Sequence, residues 1–142
     1  LLRRHATCSA ANLVMCDGRG SIADVEVRPG QVAEFKDDRP DWRVHANHYV
    51  TPEFARYEDD TLADSRPRLD RMRLLIKDRW GAITVETMKE VLADHQGDPA
   101  AICRHGDADM HSISGYIAQP AEGLLHVRRG HGCDGTWRAY AV

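Results

Sequence analysis

At 142 residues the chain is about one domain long, enough to bury a real core. Its 42% hydrophobic and 29% charged content is that of an ordinary globular protein, and no apolar run approaches the length of a membrane span. A net charge of −3, with cations that are scattered and mostly Arg (only Lys36, Lys77 and Lys89 are Lys), gives no electrostatic case for nucleic acid or an anionic membrane as partner.

Residues 11–16 form a short apolar run closed by Asp17-Gly18-Arg19-Gly20. Residues 22–27 follow, with Val25 and Val27 on one face and Asp24 and Glu26 on the other. Strand-like runs on either side of an Asp-Gly turn predict a β-hairpin, because the turn needs a positive φ. Pro29-Gly30 makes a second turn and residues 31–35 a third strand. After the polar loop 37–41, alternation over residues 42–49 (Val44, Ala46 and His48 against Arg43, His45 and Asn47) predicts a fourth strand ending in a polar tip.

Residues 50–64, with Pro52 and the run Glu58-Asp59-Asp60, predict a solvated acidic connector. Ser65 is expected to cap a helix over about 65–79, with Pro67 in its first turn and an inward stripe of Leu69, Met72, Leu75 and Ile76. Thr84 caps a second helix over about 84–95, with Val85, Met88, Val91 and Leu92 inward. Strands return at 113–118, 124–128 and 136–142. The order predicts an α+β fold in one domain, residues 1–142, with the two helices packed on one face of an antiparallel sheet.

Cys8, Cys16, Cys103 and Cys133 show no Cys-x-x-Cys pairing, so reduced thiols are expected rather than disulfides or zinc. Cys103 is read as a buried inert thiol and Cys133 as part of a Gly-rich hairpin connection. His45 and His48 lie three apart on a predicted strand and point to opposite faces, so they do not share an ion. His105 and His111 bracket Asp107 and Asp109, a better ligand set for which a solvated loop is still the favoured reading. No metal and no cofactor are expected. Leu1-Leu2-Arg3-Arg4-His5 is not a signal peptide, and retention in the cytoplasm is the default. The chain opens on Leu, so a processed product or a piece of something longer is expected.

Several blocks, taken in order, resemble the later part of the penicillin acyltransferase (acyl-CoA:isopenicillin N acyltransferase) family of cysteine N-terminal-nucleophile enzymes. Ser9-Ala10-Ala11-Asn12-Leu13-Val14-Met15 with Ala23-Asp24-Val25-Glu26-Val27-Arg28-Pro29 is similar to that family's hairpin ending in an acidic residue and a proline. Val44-His45-Ala46-Asn47-His48-Tyr49 resembles its His-Thr-Asn-His motif, with Ala46 in place of Thr. Asp64-Ser65-Arg66 through Arg71-Met72 resembles its Ser-x-x-Arg helix start, and Ala101-Ile102-Cys103-Arg104-His105 its Ser-Ile-Cys-Arg stretch. Leu125-His126-Val127 to Gly130, then Trp137-Arg138-Ala139-Tyr140, matches its closing hairpin. The family's second arginine, in a Ser-Arg pair beyond that stretch, is replaced here by His111-Ser112.

The resemblance implies half of an αββα sandwich and acyl transfer on small amides or acyl thioesters. The nucleophilic cysteine and its own α-amine would come from an upstream half or a second chain. A chain holding only part of such a sheet is expected to be poorly soluble or obligately paired. By the same resemblance Asn47 supplies an oxyanion donor, Arg104 lines the site or fixes its geometry, and His48 and Tyr49 contact substrate. A turn-capping role for Asn47 and a structural salt bridge for Arg104 remain open. Cys8, which would become N-terminal if residues 1–7 were clipped, is the rival nucleophile and the less favoured one. The alternative function is a non-catalytic fragment or interaction partner that keeps half of the fold.

Overall fold

The hairpin at the start of the chain forms where the turn residues place it. In the computed structural model, which describes residues 8–36, 41–58, 62–106 and 110–142, β1 (Ala11–Cys16) pairs antiparallel with β2 (Ile22–Arg28). The positive φ of the turn falls at Gly20 (+85°) rather than at the glycine next to Asp17. Asp17 explains the shift. Its Oδ1 accepts the N–H groups of Arg19 and Ser21, both at 2.9 Å, and so winds the loop around its own carboxylate. These amides hold the Asp17 carboxyl below its ordinary range.

The chain divides into two compact units, residues 1–65 and 66–142. In the first, β3 (Gln31–Phe35) joins the far edge of β2, giving a sheet of order β1-β2-β3. Its core holds Val27, Ala33 and Phe54, the last on the short helix α1 (Pro52–Ala55). The connector therefore contains a helical turn that its polarity conceals. Proline at the start of α1 supplies the helical φ there, and Phe54 anchors the turn by burial.

Residues 42–49 do not form the expected fourth strand; they are irregular backbone. Alternation does not by itself provide a neighbouring ladder, and here side chains accept the amides of Asn47, His48 and Tyr49 instead.

The second unit carries most of α2 (Ser65–Asp78), then α3 (Val85–Leu92) and a meander of β4 (Ser114–Gln119), β5 (Leu124–Arg129) and β6 (Thr136–Ala141). All strand pairs are antiparallel, and the class is α+β as expected. The strands nevertheless form two three-stranded sheets, not the single sheet read from the sequence. Leu69, Leu75, Ile76 and Val91 bury the apolar stripes of the two helices. Lys89 of α3 lies 5.7 Å from the centroid of the Trp137 ring on β6.

Both ends of α3 are chemically defined. At the start, the Thr87 N–H donates to Thr84 Oγ1 at 3.2 Å, and the Thr84 N–H donates to Thr87 Oγ1 at 2.7 Å. This is a reciprocal cap with threonine doing the work usually given to glutamate. Thr84→Ala is expected to lower stability by about 1 kcal/mol, read as a lower thermal midpoint with unchanged spectra. An unchanged midpoint would show the cap to be dispensable. Beyond the other end, Arg71 Nε and Nη2 donate to the two carboxylate oxygens of Asp94 at 3.0 and 2.6 Å. The Asp94 carboxyl is lowered chiefly by this guanidinium.

Candidate active site

The irregular segment 42–51 is built around one buried acid on β2. Glu26 is 0% exposed. Its Oε1 accepts the Val50 N–H at 2.5 Å and lies 2.8 Å from His45 Nε2. Its Oε2 accepts the Thr51 N–H at 3.2 Å and the Thr51 hydroxyl at 2.5 Å. Burial alone would raise this carboxyl. The Thr51 hydroxyl, the Val50 amide, His45 and the Thr51 amide outweigh it and hold the group below its ordinary value.

Asp24, two residues earlier on the same buried face, goes the other way. Asn12 Nδ2 of β1 donates to its Oδ1 at 2.5 Å, while Oδ2 has no hydrogen-bond partner among the described residues. Burial dominates there and raises the carboxyl.

A second hub is Ser65, the first residue of α2 and fully buried. Its Oγ accepts the N–H groups of Asn47 at 2.7 Å and His48 at 3.1 Å, and lies 2.8 Å from His48 Nδ1. With both lone pairs of the hydroxyl taken by amides, its proton points to Nδ1, which sets the His48 ring as the Nε2–H tautomer. The serine read from the sequence as a helix cap thus fixes the backbone of the Asn47-His48 pair. Tyr49 completes the segment. Its N–H donates to Glu58, its hydroxyl to the Val27 carbonyl at 3.4 Å, and its ring meets Phe54 edge-on at 5.2 Å. Glu58 belongs to the acidic run read as a solvated loop, yet it binds this amide; Asp59 and Asp60 lie outside the described residues.

These residues open onto a cavity of about 420 Å³, lined among others by Asn12, His45, Asn47, His48, Tyr49 and Glu58. Three of the residues singled out from the sequence, Asn47, His48 and Tyr49, therefore share one hollow. Asn47 is exposed and His48 is 4% exposed. The Asn47 main-chain N–H is spent on Ser65.

Arg104 belongs to the second unit. Its N–H donates to Ser112 Oγ at 3.1 Å, and its carbonyl accepts the Ser112 N–H at 2.8 Å. Cys8 is exposed and lies three residues before β1. His45 and His48 turn their rings to different partners, Glu26 and Ser65. The acidic loop between His105 and His111 cannot be placed, because Asp107 and Asp109 lie outside the described residues.

Sequence alone assigns Glu26, Ser65 and Asn12 no role at the site, although it marks Ser65 as a helix cap and Glu26 as part of a family-like hairpin. The one signal for Glu26 is its place two residues after Asp24 on a strand that could have buried its valine face alone.

Compared with known protein families, the chain matches the family described as acyl-coenzyme A:6-aminopenicillanic acid acyl-transferase over residues 1–131. A comparison with curated proteins finds none that matches. No helix among the described residues is long and apolar enough to cross a membrane.

Proposed function

The chain belongs to the acyl-coenzyme A:6-aminopenicillanic acid acyl-transferase family, and from that premise we propose that it is the C-terminal part of a cysteine N-terminal-nucleophile acyltransferase or amidohydrolase. Its substrates are small amides or acyl thioesters. A cysteine thiol from an upstream half or a second chain attacks the substrate carbonyl, and the cysteine's own α-amine takes the thiol proton. The amine suits this task because its pKa, about 8, lies near neutral pH. The tetrahedral intermediate collapses to a thioester as the leaving amine or thiol departs with that proton. An acceptor amine or water then attacks the thioester and regenerates the thiol.

In this reading Asn47 donates its side-chain amide to the oxyanion, a contact worth about 3 kcal/mol. His48 and Tyr49 form the wall on which substrate rests, and Arg104 fixes site geometry. The observation that carries the reading is the shared cavity: Asn47, His48 and Tyr49 line one polar hollow, their backbone is held by the buried Ser65 and by Glu58, and the buried Glu26 holds the Val50 amide that follows. The free state of all four cysteines suits a cytoplasmic protein.

The test is complementation. The 142 residues alone are expected to turn over neither amides nor thioesters, and mixing with an upstream half that begins with cysteine restores turnover. Robust activity of the isolated chain that Cys8→Ala abolishes would make Cys8 the nucleophile and overturn this assignment.

A further inference from the structure

The second unit gathers four side chains that neither the cavity nor the proposed chemistry uses. The ligand atoms of His95, Cys103, His105 and Cys133 all lie within 4.8 Å of one another. Cys103 Sγ is 3.9 Å from Cys133 Sγ, Cys133 Sγ is 3.4 Å from His105 Nε2, and His105 Nε2 is 2.9 Å from His95 Nε2.

A zinc ion at the centre of a regular tetrahedron, with Zn–S of about 2.3 Å and Zn–N of about 2.05 Å, sets S–S, S–N and N–N separations of about 3.8, 3.6 and 3.4 Å. The first two observed distances fall within about 0.2 Å of these values, the two imidazoles need to part by about half an ångström, and the remaining sulfur–nitrogen pairs, all within 4.8 Å, settle to the same S–N separation as the ion draws its ligands in.

The surrounding structure holds these four residues by contacts of its own. His95 and Cys103 are drawn together because the Cys103 N–H donates to the Asp94 carbonyl at 2.9 Å. The Asp94 side chain is in turn clamped by Arg71 and accepts the Gln96 N–H at 3.1 Å. Cys133 arrives on the β5–β6 loop, which approaches the end of α3 so closely that a Cβ on Gly132 would lie 1.9 Å from the Leu92 carbonyl oxygen. Only glycine permits that approach. The Gly132 N–H donates to Cys103 Sγ at 3.2 Å, the kind of amide contact that supports a thiolate. Cys103 is itself 0% exposed.

We propose that His95, Cys103, His105 and Cys133 form a tetrahedral Cys2His2 site for Zn²⁺ that pins the β5–β6 loop and the 101–105 turn to the end of α3. With four protein ligands the site has no open position, so the ion serves structure rather than turnover. Binding displaces the two thiol protons to solvent and leaves both sulfurs as thiolates. The sequence conceals the site because its ligands come from three separate segments and the one close pair is Cys-x-His, not Cys-x-x-Cys.

The full chain, stripped with a chelator and reconstituted, is expected to retain one Zn²⁺ per chain by atomic absorption. Reconstituted with Co²⁺, it should show the intense visible bands and thiolate charge transfer of a tetrahedral site. His95→Ala and Cys133→Ser, both at exposed positions, each weaken Zn²⁺ by at least tenfold in competition with a chromophoric chelator, whereas Cys16→Ser does not. The Co²⁺ spectrum of the unaltered chain keeps the test valid even if a variant misfolds. A weak octahedral spectrum, metal retention unchanged in both variants, or a Cys103–Cys133 disulfide found by mass mapping in place of bound metal would each overturn the proposal.

Discussion

Asn47→Ala is expected to lower turnover on the order of a hundredfold or more in the assembly that contains the nucleophile. The substitution removes only the side-chain amide. The Asn47 N–H that donates to Ser65 belongs to the backbone and survives in alanine. The loss should appear in kcat rather than in KM, because an oxyanion donor acts on the transition state and not on the bound ground state. Steady-state kinetics on the reconstituted assembly reads it. Full turnover in Asn47→Ala would remove the oxyanion role and leave Asn47 as a turn residue.

The second large effect is on stability. Glu26→Ala is expected to destabilise the first unit by about 3–5 kcal/mol, since deleting one member of a buried charged network leaves its partners without compensation. The orphans are identifiable: the Val50 and Thr51 amides, the Thr51 hydroxyl and His45 Nε2. Denaturant unfolding of the two proteins at neutral pH measures the difference.

The pH dependence has a definite sign. The Glu26 carboxyl is depressed in the folded state, so the unfolded chain binds its proton at the higher pH. The stability it supplies is present above the ordinary carboxylate pKa and drains away as pH falls through the depressed folded value. The gap between wild type and Glu26→Ala should narrow on acidification. A gap that stays constant across that window would assign the loss to packing rather than to the ionised carboxylate.

Taken by itself, the sequence determined each of the β-strands seen among the described residues to within a residue or so, because each is short, bounded by turn residues and paired with its chain neighbour. The hairpin that turns at Asp17, the Pro29-Gly30 turn and the meander from Ser114 to Ala141 all need only local information. The start of α3 was equally local, since its cap closes between Thr84 and Thr87. Asn47, His48 and Tyr49 are adjacent in the sequence and line one cavity.

What only the tertiary structure decided involves groups far apart in the chain. Residues 42–49 alternate like a strand, yet the amides of Asn47, His48 and Tyr49 and the two that follow go to Ser65, Glu58 and Glu26, up to 25 positions away. On β2 it is the acidic face that is most deeply buried, because Glu26 accepts four contacts there and so offsets the cost of its own desolvation. The two-sheet division and the gathering of His95, Cys103, His105 and Cys133 are decided in the same way. Periodicity reports which residues share a face of one element; which polar groups meet across elements is set by loop paths and close approaches such as that of Gly132 on Leu92, and no local pattern encodes them.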